Sequence, residues 1–338
     1  NLEGLRLPKA LKINLKRRDL RSMADPIRPC VIFEGWNWNR RRIAGQGDPR
    51  SELLVSFSGG RTSAYMAKML IDNYSDKYNF HFVFANTGLE HEKTLEFVNN
   101  CDKEWGLNVV WVEAVVHFDQ RKACTSKVVN FETASRKGEA FEEVTKKYGI
   151  PNKAWPHCNR ELKLNPIHHY MKNTAGIDAY ETAIGIRVDE ARRRAGEKTV
   201  SAYGVIYPLL DMIPADKQDV LSFWELMPFD LGLPEHLGNC QMCFKKSESK
   251  LMLVIKSDLE PLNFHIGLEE KYGLSGCNLD GTKRKTFRHN ESAESLLERS
   301  KEYSVDYLAK ISKRIPISDC GESCDILTLG TTQMDLFQ

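Results

Sequence analysis

The 338-residue chain has no run of 18 consecutive apolar residues, which excludes a membrane-spanning helix. No internal repeat or low-complexity tract is visible. Its basic N-terminal stretch lacks the apolar core of a secretion signal, so the expectation is a cytoplasmic protein with no membrane contact. Charge of either sign is nearly balanced, at a net +2. With 41% hydrophobic and 28% charged residues, the composition is that of a globular protein long enough for one large domain or two ordinary ones.

The near-neutral total hides an asymmetry. Residues 1–50 carry 12 Lys and Arg against 5 Asp and Glu, leaving 36 against 41 in the remainder. A basic arm on a mildly acidic body suits nucleic-acid contact, and equally suits a solvated extension. Trp36 and Trp38, interleaved with Arg40 to Arg42, suit stacking on bases or on the protein's own surface. Nine cysteines in a chain read as intracellular point to metal binding or thiol chemistry before disulfides.

Apolar runs alternate with helical periods. Leu53–Phe57, Phe80–Ala85, Leu107–Val116 and Tyr180–Ile186 read as strands. Thr62–Asn73, Lys93–Trp105, Phe141–Lys147 and Leu162–Lys172 read as helices. That alternation predicts an α/β fold with a doubly wound parallel sheet. Three regions are expected: an arm or linker over 1–50, a nucleotide-binding domain over 51–206, and a Cys-containing helical region over 207–338.

The first strand runs into "SFSGGRTS", residues 56–63. Ligands of such sheets bind beyond the carboxyl ends of the strands. A glycine turn there lets backbone N–H groups approach an anion at the positive end of the next helix. Gly59 and Gly60 remove the Cβ atoms that would block the approach, and Ser56, Ser58, Arg61, Thr62 and Ser63 add polar groups. The turn fits phosphate, pyrophosphate or sulfate, although it has neither the G-x-x-x-x-G-K-[ST] nor the G-x-G-x-x-G spacing. Asn86-Thr87-Gly88 ends the second strand beside it, placed to meet a ribose or adenosine. After Gly185, the Arg187 guanidinium could fork onto a phosphate or sulfate oxygen, with Asp189 and Glu190 orienting it or holding magnesium. His168 and His169, adjacent on a helix, point to different faces and cannot share a site.

These elements carry a resemblance. "SFSGGRTS" resembles the pyrophosphate-binding loop of adenine-nucleotide alpha-hydrolase-like enzymes. "VFANTGLEHEKTLEFV", residues 83–98, and "GIRVDEARRRA", residues 185–195, resemble the T-G-x-E…T and G-x-R-x-x-E-x-x-R elements of the phosphoadenosine-phosphosulfate (PAPS) reductase family. "YPLLDM…DVLSFW" and "LPEHLGNCQMCFKKS" continue the family order, and the likeness spans roughly residues 53 to 250. It implies nucleotide binding by Ser56, Ser58, Gly59, Gly60, Arg61, Thr62, Ser63, Asn86, Thr87, Gly88, Gly185, Arg187 and Glu190. One departure stands out: ATP-splitting members commonly carry Asp where this chain has Thr62, which weakens the case for a metal at that point.

Cys240-x-x-Cys243 can place two thiolates on one metal or cluster edge. In the iron–sulfur branch of the family a cysteine element like the one around Cys158 precedes such a pair. The resemblance therefore implies a [4Fe–4S] cluster, with zinc as the rival, on Cys158, Cys240 and Cys243. The branch's usual element is a Cys-Cys pair, but His157 stands where its first cysteine would be, so the fourth ligand is open, with Cys277 taken first and His157 second. Lys163, Lys245 and Lys246 would offset its charge. Cys101 reads as a packed helix residue, and Cys30 and Cys124 have no argued partner. In the tail, Asp319-Cys320-Gly321 is similar to the E-C-G element holding the catalytic cysteine of sulfonucleotide reductases, and Cys324 follows it.

Three functions fit. The first is ATP-dependent adenylation with pyrophosphate release, coupled to sulfur transfer onto a nucleic acid. Arg187 would act on the α-phosphate and the cluster on sulfur, with a sulfur-donor protein as partner. The second is a sulfonucleotide reductase acting on PAPS or adenosine phosphosulfate through Cys320, with a dithiol donor. The third is a non-catalytic nucleotide- or cluster-binding module.

Overall fold

The computed structural model describes residues 50–277, 281–288 and 291–314. The basic arm, Cys30, Cys320 and Cys324 lie outside the described residues. Strand β1 (Ser51–Ser56) leads into helix α1 (Arg61–Tyr74), strand β2 (Tyr78–Ala85), helix α2 (Glu92–Trp105) and strand β3 (Val110–Val115). Strand β4 (Thr125–Val129) and helix α3 (Glu139–Tyr148) precede a long helical run over residues 157–174. Strand β5 (Glu181–Ala183) is followed by a 3-10 turn at Val188–Arg193, helix α4 (Glu197–Tyr203), strand β6 (Val205–Ile206) and helices α5 (Pro208–Asp211) and α6 (Lys217–Trp224). Helices α7 (Glu248–Ser257), α8 (Glu260–Tyr272), α9 (Ala293–Lys301) and α10 (Val305–Arg314) complete the described chain.

The six strands form one sheet in the order β4-β3-β2-β1-β5-β6. All neighbouring pairs are parallel except β3 with β4. Both faces are covered, as a parallel sheet requires. Leu53, Val55, Phe82 and Phe84 face one core with Ala64, Met66, Leu70, Leu95 and Val98 from α1 and α2. Leu54, Val83 and Ala85 face the other with Leu164, Ile167 and Met171. The strand period of two explains the continuous apolar reading of β1, because alternate residues serve opposite layers. Each such side chain, fully buried, contributes about 1.5–3 kcal/mol.

The sequence-read strands and helices are found, with shifted ends. The Tyr180–Ile186 strand shortens to Glu181–Ala183, because the chain turns at once: the Ile186 N–H donates to the Ile184 carbonyl at 3.0 Å. The antiparallel edge strand β4 was not expected; its burial pattern, largely half-exposed, has no clean apolar alternation to announce it. The helical run begins at His157, earlier than the expected Leu162, and contains two π segments, Arg160–Leu164 and Tyr170–Thr174. No described helix is long and apolar enough to cross a membrane.

Beyond β6, Leu209, Val220, Phe223 and Trp224 join the core of α1 and α2. Helices α7 to α10 build a further apolar cluster around Leu251, Val254, Leu262 and Leu296. His265 of α8 is 3% exposed; its ring centroid lies 4.4 Å from that of Phe287, and its Nδ1 is 2.9 Å from the Pro261 carbonyl oxygen. Burial lowers its pKa from 6.5 to about 4. The folded state thus refuses a proton that the unfolded chain accepts. This contribution is intact above pH 6.5 and is lost progressively as pH falls towards 4. In urea titrations, His265→Leu should lose less stability than the wild type between about pH 7 and pH 4.5; equal losses would refute this.

Candidate functional site

β1 lies at the centre of the sheet, where successive connections part: α1 leads outward to β2, whereas β5 returns on the other side. A crevice opens at the carboxyl ends of strands at such a switch point. Three polar segments meet there: the turn after β1, the turn after β2, and the turn after β5.

The β1 turn is pressed deeply into the fold. Gly59 has φ +79°, and a Cβ built on it would stand 2.7 Å from Thr94 Cγ2 and 3.2 Å from Phe84 Cε2. Glycine is therefore required by space as well as by backbone angle. Gly60 is the N-cap of α1, no side chain caps it, and the first turn of α1 holds no acidic residue. The amide end of α1 thus keeps its positive field. Ser63 shapes the turn: its Oγ accepts from the Ser58 N–H at 3.2 Å and the Ser58 hydroxyl at 3.0 Å, and donates to the Gly60 carbonyl at 3.0 Å. Ser56 is buried at the end of β1.

Arg187 arrives from the β5 side, 2% exposed, and its Nη1 donates to the Thr62 hydroxyl at 2.9 Å. Its fork closes on Asp189 through Nε at 3.0 Å and Nη2 at 3.1 Å. Glu190, fully buried, lies between Arg187 Nη2 at 3.5 Å and Arg193 Nη1 at 2.5 Å. Burial alone would raise the Asp189 carboxyl, but its hydrogen bonds and charge pairing with Arg187 hold it below the usual range. Gly185, at the end of the β5 segment, lies beside α1, its Cβ position at ordinary contact distance, 3.5 Å, from Ser63 Cα. Arg61 points out of the crevice: its guanidinium pairs bidentately with Asp230 at 2.6 and 2.5 Å, and Trp224 Nε1 donates to its carbonyl at 3.1 Å.

The β2 turn is held by two buried carboxylates that the sequence reading did not single out. Glu113 of β3 accepts from Asn86 Nδ2 and the Ser135 N–H, both at 2.6 Å, and pairs with Lys127 at 3.0 Å. Glu90 accepts from the Thr87 N–H at 2.9 Å and from the Thr87 hydroxyl at 2.8 Å. Gly88, with φ +76°, has Gly138 N and Ser135 Oγ 2.8 Å from its Cβ position. The signal for Glu90 was its place in the turn motif; Asp230, 169 residues from Arg61, had none.

Beside Thr87 lies a cavity of about 50 Å³ lined by Cys158, Cys240, Cys243, Lys163 and Lys245 on its polar side. Phe141, Leu162, Met242, Phe244 and Phe287 form its apolar walls. Three of the four expected ligands therefore share one pocket. Burial, then the Glu90 charge, pushes the Cys240 thiol up. Lys246 is buried and donates to the His236 and Gln241 carbonyls at 2.7 and 2.9 Å. Cys277 is not among the lining residues; it is exposed and bridges Lys283. His157 is buried, with Nε2 3.0 Å from the Gly149 carbonyl oxygen, and burial lowers its pKa to about 3. Among the described residues no group of three or more His, Cys, Asp or Glu is arranged to hold a metal ion. Cys101 is fully buried in α2, as read. His168 and His169 take separate partners, Tyr180 at 2.5 Å and Ser126 at 2.8 Å.

Residues 52–226 match the family model described as the phosphoadenosine phosphosulfate reductase domain. An uncharacterised nin region protein of Escherichia phage lambda is 32% identical over 294 residues, covering 81% of this chain and 94% of that protein. Two uncharacterised proteins of Methanocaldococcus jannaschii are similar over shorter spans. One is 31% identical over 65% of this chain and 48% of its own length. The other is 24% identical over 52% of this chain and 31% of its own length.

The tight seat of Gly59 makes a direct test. Gly59→Ala should destabilise the fold by about 2–4 kcal/mol, combining left-handed backbone strain with the Thr94 overlap. A urea midpoint equal to the wild type would show that the turn is not packed as described.

Proposed function

This chain belongs to the phosphoadenosine phosphosulfate reductase domain family, and from that membership we propose that it is an adenine-nucleotide-using enzyme of sulfur chemistry. Our reading is ATP-dependent adenylation of an acceptor, with pyrophosphate release, coupled to sulfur transfer onto a nucleic acid. The observation that carries it is the meeting of the β1 turn with Arg187 across the switch point, at 2.9 Å from the Thr62 hydroxyl.

The turn's backbone amides and the positive end of α1 would receive the phosphate charge, in a pocket organised before the substrate arrives. Arg187 adds positive charge from behind Thr62; being buried and forked onto Asp189, it braces the turn more directly than it grips a phosphate. Asn86, Thr87 and Gly88 would flank the nucleoside. Asp189, partly exposed at 31%, is better placed than the fully buried Glu190 to meet a magnesium ion. The nucleic-acid partner rests on the basic composition of residues 1–50.

The donors of the cavity, three thiols among its lining residues, suit a thiolate-bound group in identity, although they are not drawn together as a ligand set. Cys158, Cys240 and Cys243 would hold a [4Fe–4S] cluster, with zinc as the rival, and bound there a cluster would supply iron able to bind or activate sulfur. Lys163 and Lys245 would balance its charge. The expected fourth ligand, Cys277, would have to come from outside the pocket lining, and His157 would have to leave the Gly149 carbonyl.

Thr62 favours a second reading, since no carboxylate stands at that point of the turn. A sulfonucleotide reductase would hold the phosphate or sulfate in the same turn and attack sulfur with Cys320, supported by a dithiol donor.

Pyrophosphate release from ATP in the presence of candidate nucleic acids, lost in Gly59→Ala, is the expected outcome for the first reading. Sulfite release from PAPS or adenosine phosphosulfate, abolished by Cys320→Ser, would replace it by the second. Tight nucleotide binding without turnover of any of these leaves a binding module. Anaerobically purified protein should contain iron and sulfide in equal amounts, falling together in Cys240→Ser; zinc alone, or no metal, would overturn the cluster.

A further inference from the structure

Glu90 stands where the nucleotide side and the cysteine side of the crevice touch. Its carboxylate is the acceptor for both the N–H and the hydroxyl of Thr87, at 2.9 and 2.8 Å. Its backbone forms an antiparallel bridge with Cys240. One residue earlier, the Leu89 carbonyl accepts the Gln241 N–H at 3.2 Å. Lys163, which follows Cys158 on the helical run and lines the same cavity, places Nζ 3.9 Å from Glu90 Oε1. Thr87 itself lines that cavity. The carboxylate is shielded, with 2% of the side chain exposed, so these links are not diluted by water.

We propose that Glu90 is a positioning residue that ties the turn after β2 to the Cys240–Cys243 turn, so that an adenine nucleotide seated at Thr87 also orders the cysteine pocket. The proposal rests on the nucleotide reading given above. The physical argument is short. Thr87 can shift only if its two donors leave Glu90. The Glu90 backbone can shift only if the bridge to Cys240 and the Leu89–Gln241 bond yield with it, and its carboxylate, 2% exposed beside Lys163, is held on Thr87 from that backbone. A ligand that selects one position of Thr87 therefore selects one position of residues 239–243, and any ligand of the thiols acts back on the nucleotide by the same factor.

Hydrogen exchange read by mass spectrometry tests this on the full chain, with a non-cleavable ATP analogue carrying a methylene between the α and β phosphorus atoms. In the wild type the analogue should slow exchange in two segments, residues 58–66 and residues 239–246. The second effect should be about fivefold or more, the low end of ordinary coupling between sites. In Glu90→Ala the first segment should still respond while the second loses its response. Glu90→Gln, which keeps an acceptor for the Thr87 N–H, should recover part of it. A merely structural role would speed exchange with and without the analogue alike, leaving the ratio unchanged. Should Glu90→Ala not fold, Thr87→Val removes the hydroxyl and should weaken the same response. An analogue that protects 58–66 but not 239–246 in the wild type, or a response of 239–246 that survives in both variants, overturns the coupling. An analogue that calorimetry shows not to bind overturns the nucleotide reading, and the coupling with it.

Discussion

The contact between the Gly59 backbone and Thr94 is the constraint on which the rest of the site depends. The turn after β1 is driven so far under α2 that no side chain fits at that position. This seating sets where α1 begins, and hence where its uncapped amide end points. It also places Thr62 against Arg187, whose hydrogen bond joins the turn after β1 to the turn after β5. Around it the acidic groups are spent on arginines: Asp189 and Glu190 on Arg187, Glu190 also on Arg193, and Asp230 on Arg61. The amide end of α1 is left without an internal anion.

Much of this was legible from the residues. The apolar runs of β1 and β2 announced strands buried on both faces, and Gly59-Gly60 followed by a helical period announced the turn. Arg187 was singled out by its place after a strand ending in glycine, Cys240 and Cys243 by their C-x-x-C spacing, and Cys158 by its likeness to the cysteine element of the family's iron–sulfur branch. What escaped the sequence was long-range or geometric. That Arg61 turns away depends on Asp230, brought in by the packing of Phe97, Trp105, Trp224 and Phe229. That Glu113 braces Asn86 depends on the register of β2 against β3. Glu90 lay in full view inside the motif, but an acidic residue in a turn gives no sign of being buried until its donors are known. The sequence leaves the fourth ligand open between Cys277 and His157, and a loop held by Arg284 to the Ile150 and Tyr148 carbonyls carries Cys277 outside the pocket lining.

The two sides of the crevice differ in chemistry as well as place. The β1 turn offers amides and hydroxyls, suited to hard oxyanions. The cavity beside Thr87 offers thiols, lysines and aromatic walls. The turn after β2 belongs to both, since Asn86 is anchored to the sheet through Glu113 and Thr87 to the cysteine turn through Glu90.

The helical run over residues 157–174 has one more consequence. It carries Cys158 and Lys163 towards the cavity and Leu164, Ile167 and Met171 towards the sheet, with the π segment Arg160–Leu164 between the two duties. A π turn accommodates one residue beyond the α period, so a residue can be gained or lost there while the helix on either side keeps close to its facing. The thiol at 158 packs against the cluster of Phe141, Leu162 and Phe244 that walls the cavity, while the same helical run carries the seam against the sheet. A lineage could therefore gain or lose a single codon here with the cysteine still at the cavity and the apolar seam below still in register.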